Sequence, residues 1–228
     1  MYYNKVLGRI SVNDLNKKKY IIDILQIIIL IMLMLGNYTG VLIHEILGIS
    51  LIILFVIHHL INKEYYKNIF KGKHNNLRKI YLFIDVFMII MFIMMFISMF
   101  MISQKLFIFI NLSNDYYGRI LHIISSYSLY ILCAVHLGLH YNFIFKFKEN
   151  KKIIINIFLI LIGLIFGINA FIKRKFILKL SLKLLYPVYF NDNIIVSIID
   201  YLSIFILFIM IGYGIFNIVK ITRKKEIK

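Results

Sequence analysis

Six of the seven histidines lie within long apolar stretches, where an ionisable side chain is costly and is by default a candidate functional group. They are His44, His58, His59, His122, His136 and His140. His44 and His58 are 14 residues apart, and so are His122 and His136. On an α-helix, 14 residues complete nearly four turns and rise by roughly 21 Å. Each pair is therefore predicted to lie on one helix face, with one imidazole near each side of a membrane.

Two facing imidazoles at each level can supply both axial ligands of a haem iron. The single cysteine, Cys133, excludes an internal disulfide, an iron–sulfur cluster held by thiolates and covalent c-type attachment. We therefore expect haem b, with two haems bound non-covalently. His44 is paired with His122 at the outer level, and His58 with His136 at the inner level.

The inner level leaves alternatives open, because His59 and His140 are close enough along their helices to replace the chosen ligands. A polar anchor or a hydrogen-bonded packing residue is the plainer interpretation of any single histidine. Gly48 and Gly138 would let a macrocycle approach the backbone. Arg119 is a candidate partner for a haem propionate, or a side chain that extends to lipid phosphate.

A short internal repeat accompanies the histidines. The segment Gly40–His44 is similar to Gly118–His122, and the preceding apolar runs contain Ile22-Asp23 and Ile84-Asp85. This pattern favours a duplicated helical hairpin. We interpret the two aspartates as helix N-terminal carboxylates near lysines, with proton uptake as the alternative.

The elements that must position these residues are membrane helices. The chain has 228 residues, 61% of them hydrophobic, and a formal charge of +17, with the lysines and arginines between apolar runs rather than on one solvated face. That distribution argues against nucleic acid as a partner and predicts contact with membrane lipid. Six runs are near the length that a bilayer requires: Tyr20–Gly36, Val41–Ile61, Ile80–Ser103, Arg119–Tyr141, Ile153–Ile172 and Ile194–Val219.

The predicted fold class is an all-α polytopic bundle of about six spans with a four-helix haem-binding core. Its segments are a cytoplasmic stretch 1–19, the core 20–146, and two further helices with a basic tail in 147–228. The positive-inside rule places both termini in the cytoplasm. The segment 173–193 is expected to lie on the outer surface as an amphipathic stretch, where its cations would flank a docked partner: Lys173, Arg174, Lys175, Lys179 and Lys183.

The chain resembles the flavinylation-associated cytochrome family of prokaryotic membrane proteins. The matching stretches are Thr39–Glu45 with Gly48, His58–Asn62 with Tyr65–Lys67, Arg119 with Leu121–His122 and Ser125–Ser126, His136–His140, and Ile199–Leu202. This resemblance implies a b-type cytochrome of the prokaryotic cytoplasmic membrane. It also implies an extracytoplasmic flavoprotein partner with covalently bound flavin.

The expected function is transmembrane electron transfer, with membrane quinol or a cytoplasmic-side donor as the source of electrons. We expect a redox subunit rather than a stand-alone enzyme, and no residue is assigned a catalytic role. One alternative is a metal or haem transporter, although carboxylates deep in the bundle would then be expected. The other is a non-catalytic membrane anchor of a redox complex, which would leave the matched histidine spacing unexplained.

Overall fold

The computed structural model describes residues 2–68, 71, 75–110, 115–140, 149–186, 188 and 192–226, which are almost entirely helical and contain no strand. The principal helices are α1 (Tyr2–Met34), α2 (Gly36–Thr39), α3 (Val41–Ile61), α4 (Lys63–Asn68), α5 (Asn76–Ile102) and α6 (Asp115–Leu139). They are followed by α7 (Glu149–Ile162), a π-helical turn (Gly163–Gly167), α8 (Ile168–Lys173), α9 (Phe176–Leu180) and α10 (Ile194–Glu226). The predicted all-α class is confirmed.

Five stretches of the described residues are long and apolar enough to cross a membrane. They are Val41–Ile61, Asn76–Ile102, Asp115–Leu139, Ile153–Lys173 and Ile194–Thr222. Large apolar side chains on these helices are exposed, as with Phe83 and Ile154. Because so much apolar surface is stable only away from water, the chain is a multi-pass membrane protein in contact with lipid.

The first predicted span is not among these five. It lies within α1, where the apolar part from Tyr20 to Met34 follows three lysines. At 1.5 Å per residue that part extends for about 23 Å, which is less than the roughly 30 Å of a hydrocarbon core. A sixth crossing therefore stays a prediction, as does the placement of both termini in the cytoplasm. Tyr141, the last residue of the fourth predicted span, lies outside the described residues.

The chain divides into two compact units, residues 1–72 and 73–228. In the first, α1 packs directly against α3, and the short α2 connects the two helices. Gly40, between α2 and α3, has a φ of 76°, a left-handed conformation that suits glycine. The predicted four-helix core 20–146 extends across the boundary between the units and stays a prediction.

In the second unit, α6 lies between α5 and α10 and packs against both. Asn75 caps α5 by accepting a 2.8 Å hydrogen bond from the backbone N–H of Arg78. One buried cluster joins the three helices through Ile84, Leu139 and Phe216. These contacts hold the two histidine-bearing turns of α6 in a defined register with α5.

Candidate functional site

The structure places the candidate histidines on two helices, as the sequence predicts. His44, His58 and His59 lie on α3, and His122 and His136 lie on α6. His140 directly follows the last residue of α6, and its N–H donates to the carbonyl oxygen of His136 at 3.2 Å. Because α3 and α6 are each uninterrupted, each 14-residue separation lies within a single helix. His44 and His58 are both on α3, and His122 and His136 are both on α6.

In the first unit, His58 is held by a carboxylate from the preceding helix. Its Nδ1 lies 2.8 Å from Oδ1 of Asp23 in α1. Its Nε2 lies 3.4 Å from the side-chain amide nitrogen of Asn62, which also donates to the carbonyl oxygen of His58 at 2.9 Å. An amide NH₂ only donates, so that neighbour favours the tautomer with the proton on Nδ1 and the lone pair on Nε2.

The second unit repeats this arrangement. Nδ1 of His136 lies 2.9 Å from Oδ1 of Asp85 in α5. The contact is close, but its angle falls outside hydrogen-bonding geometry. The Asp85 side chain is only 13% exposed, compared with 41% for Asp23. In both units, therefore, the later histidine of the pair meets an aspartate from an earlier helix.

The earlier histidine of each pair, His122 or His44, lies beside a small residue that is 13 positions after the aspartate of the same unit. Ser98 is 13 residues after Asp85, and its Oγ lies 3.2 Å from Nδ1 of His122. The single hydroxyl proton of Ser98 is donated to the carbonyl oxygen of Met95 at 2.7 Å, so Ser98 accepts from His122. His122 therefore carries its proton on Nδ1, with the lone pair on Nε2.

Gly36 takes the place of Ser98 in the first unit, since it is 13 residues after Asp23. A Cβ built on Gly36 would lie 2.9 Å from Nδ1 of His44. A larger residue there would press on the His44 ring. The duplicated arrangement thus comprises an aspartate, a small residue and two histidines in each unit.

The two alternative histidines have different surroundings. Nδ1 of His59 donates to the carbonyl oxygen of Phe55 at 2.9 Å, and its ring is stacked on Tyr66 with centroids 5.5 Å apart. The His140 ring stacks on Tyr81 at 4.8 Å, and the Tyr81 hydroxyl donates to the carbonyl oxygen of Leu139 at 3.0 Å. Both rings thus stack on a tyrosine, whereas His58 and His136 each contact an aspartate of an earlier helix.

Arg119 is partly buried near the start of α6. Its guanidinium lies 3.8 Å from Asp115 and 5.8 Å from the centroid of the Tyr186 ring. The distance to Asp115 is at the outer limit of an ion pair, and Asp115 is largely exposed, so this contact is weak.

The two glycines proposed for a macrocycle differ in their surroundings. A Cβ built on Gly48 has no described atom within 4 Å. A Cβ built on Gly138 would lie 2.1 Å from the carbonyl oxygen of Ile209 in α10. The interpretation of Gly138 as a point of macrocycle approach is wrong, because this glycine lets α6 and α10 pack backbone to backbone.

The basic segment after α8 is also different from its expected form. Arg174 is 2% exposed, and its guanidinium contacts Asp192 at 2.9 Å, Asp200 at 2.7 Å and the Ser197 hydroxyl at 3.0 Å. Lys173 lies 3.0 Å from each of the two carboxylates, and its hydrogen bond lowers the pKa of Asp192. These two cations hold α8 to the start of α10.

Lys179 is buried as well, and its ammonium donates to the hydroxyl of Tyr127. Burial lowers the pKa of Lys179 to about 8. The expectation of five surface cations is therefore wrong for Arg174 and Lys179, whereas Lys175 and Lys183 are exposed. The acidic residues Asp192 and Asp200, downstream of the basic cluster, are the signal in the sequence that could have indicated internal ion pairs.

No three His, Cys, Asp or Glu side chains converge as a metal-ion site within the ranges that the structure describes. A haem iron takes only two axial protein ligands, so haem does not need such a cluster.

Comparisons with protein families, curated proteins and solved structures find no match. The resemblance to flavinylation-associated cytochromes therefore stays a prediction from the sequence.

Proposed function

We propose that the chain is a b-type cytochrome subunit that transfers electrons across a membrane through two non-covalent haems. The observation that carries this proposal is the duplicated arrangement of aspartate, small residue and two histidines. Asp23 and Asp85 contact the later histidine of each pair, at 2.8 Å and 2.9 Å. A histidine that serves only in packing has no need of the same partner in a second hairpin.

The residues fit a haem in their donor chemistry. An axial imidazole binds iron through a nitrogen lone pair, and its other nitrogen usually donates to an acceptor. Nδ1 of His122 faces the Ser98 hydroxyl oxygen, and Nδ1 of His58 and His136 faces a carboxylate. The Nε2 atoms are therefore the proposed iron-binding nitrogens of these three histidines. To admit iron, the weak 3.4 Å contact from Asn62 to His58 must open.

Haem would supply a one-electron couple at each level. His44 and His122 are the proposed ligands of one level, and His58 and His136 of the other, a pairing that follows from the spacing in the sequence. No described atom lies within 4 Å of a Cβ built on Gly48, one turn after His44, which is compatible with a flat macrocycle there. Arg119 is proposed to donate to a propionate, because its contact with Asp115 is weak.

The proposed electron source is membrane quinol or a cytoplasmic-side donor, and the proposed acceptor is an extracytoplasmic flavoprotein with covalently bound flavin. The support for this partner is the resemblance to flavinylation-associated cytochromes. A prokaryotic cytoplasmic membrane with both chain termini on the cytoplasmic side belongs to the same proposal.

Replacement of the ligands level by level tests the proposed function. His44→Ala and His122→Ala should each remove the same low-spin haem and leave the other, because a bis-histidine iron needs both axial partners. His58→Ala and His136→Ala should remove the second haem. Reduced-minus-oxidised spectra of the purified full chain follow each haem. Four variants that all retain the wild-type spectrum would overturn the assignment, as would tight binding of a divalent metal by a chain that takes up no haem.

A further inference from the structure

The two aspartates beside the proposed ligands His58 and His136 occupy equivalent positions in the two hairpins. Asp23 and Asp85 each precede their small residue by 13 positions, and each meets the later histidine of its own hairpin. They contact those histidines from 35 and 51 residues away in the chain. Helix N-terminal stabilisation requires no such contact, so their placement beside His58 and His136 needs another explanation.

Each carboxylate lies beside Nδ1, the nitrogen that would not face iron. Asp23 lies at hydrogen-bonding geometry, whereas Asp85 makes a 2.9 Å contact whose angle falls outside it, so Asp85 would act on the ring through its charge. An ionised carboxylate only accepts, so the ring nitrogen beside it carries the proton. The Asn62 amide at Nε2 of His58 favours the same tautomer independently. A ring held at Nδ1 has a fixed plane and a fixed direction for its Nε2 lone pair.

The same contact alters the electronic character of the ring. A charged acceptor draws the Nδ1 proton toward itself more strongly than a neutral one and makes the imidazole a stronger electron donor. Stronger donation stabilises the oxidised iron more than the reduced iron. At the other level, His122 meets the neutral hydroxyl of Ser98 instead.

We propose that Asp23 and Asp85 are positioning residues that orient His58 and His136 toward iron and lower the reduction potential of the haem they bind. This inference rests on the proposed function, since it concerns ligands of that haem. It involves no bond change at the aspartates: the iron gains or loses one electron while the carboxylates keep their contacts.

Asn variants remove the charge and keep the shape. Asp23→Asn and Asp85→Asn should retain a low-spin haem at the His58/His136 level and increase its equilibrium constant for reduction by about tenfold each, which corresponds to about 59 mV for a one-electron couple. The haem at the His44/His122 level should keep its potential. Spectroscopic redox titration of the full chain in lipid nanodiscs measures both potentials.

Glu64→Gln is the matched control, because Glu64 is an exposed carboxylate whose partner is Lys67 at 2.7 Å. It should leave both potentials unchanged. The conservative variants Asp23→Glu and Asp85→Glu keep the charge and should retain haem with a potential closer to wild type than that of the Asn variants. If the Asn variants lose haem, the Glu variants alone decide the question.

Three outcomes overturn the inference: unchanged potentials in haem-loaded Asn variants, an equal shift in Glu64→Gln, or loss of haem from both Asn and Glu variants with the helical content intact. A wild-type chain that binds no haem would instead contradict the proposed function itself. The two failures are therefore distinguishable.

Discussion

Gly138→Ala tests the close approach of α6 and α10. The added Cβ would lie 2.1 Å from the carbonyl oxygen of Ile209 and 2.9 Å from the backbone nitrogen of Tyr213. Both atoms belong to the backbone of α10, so neither can rotate away, and the helices must separate by roughly 1 Å. Overpacking of this kind costs about 3 kcal/mol, and the better helix propensity of Ala offsets about 1 kcal/mol. We expect a net loss of about 2 kcal/mol in the free energy of unfolding.

Gly214→Ala is the matched control in α10, because no described atom lies within 4 Å of the Cβ it would add. There only the better helix propensity of Ala matters, so the free energy of unfolding should rise by up to about 1 kcal/mol. Reversible unfolding of the purified chain in mixed detergent micelles, followed by circular dichroism, compares both variants with wild type. A Gly138→Ala variant that is as stable as Gly214→Ala would refute the packing reasoning.

The remaining expectations concern the basic segment and the alternative histidines. Arg174→Ala should lower the free energy of unfolding by about 3 kcal/mol, because it leaves two carboxylates in contact with Lys173 but without the guanidinium. The control Lys183→Ala, at an exposed position, should change it by less than about 0.5 kcal/mol. Equal effects of the two variants would contradict the buried ion pairs. Burial lowers the pKa of Lys179 from its usual 10.5 to about 8, so between pH 8 and 10 the unfolded chain binds more protons there and the unfolding free energy should rise with pH. In Lys179→Met the unfolding free energy should not rise with pH over this range. If it rises as steeply as in the wild type, the assignment of this pH dependence to Lys179 is wrong. His59→Ala and His140→Ala should keep both low-spin haem spectra, and loss of a haem from either would move the ligand assignment to that residue.

The membrane helices were predictable from the sequence, because the length of a continuous apolar run determines whether a helix can cross a bilayer. The apolar run Val41–Ile61 is long enough to cross a bilayer, and α3 has the same bounds. The 14-residue spacing of the histidines is likewise a property of single helices. Those features depend on residues near one another in the chain.

The partners of those histidines depend on a different property, the register between helices. Asp85 meets His136 only because α5 and α6 pack with one particular vertical offset, and the apolar period of either helix does not encode that offset. The position of Gly138 has the same cause, since its small size indicates a close approach but does not identify α10 as the neighbour. Arg174 was misplaced on the surface because its carboxylate partners lie 18 and 26 residues further along the chain.

Haem stoichiometry tests the proposed electron-transfer function most directly. The full chain, expressed with an adequate haem supply and purified in mild detergent, should contain close to two haems b per polypeptide in a pyridine haemochrome assay. Acid–acetone extraction should release all of the haem, because the sole cysteine cannot support c-type attachment. A value near one would remove one histidine level from the proposal. A fully helical chain with no haem would contradict the cytochrome function.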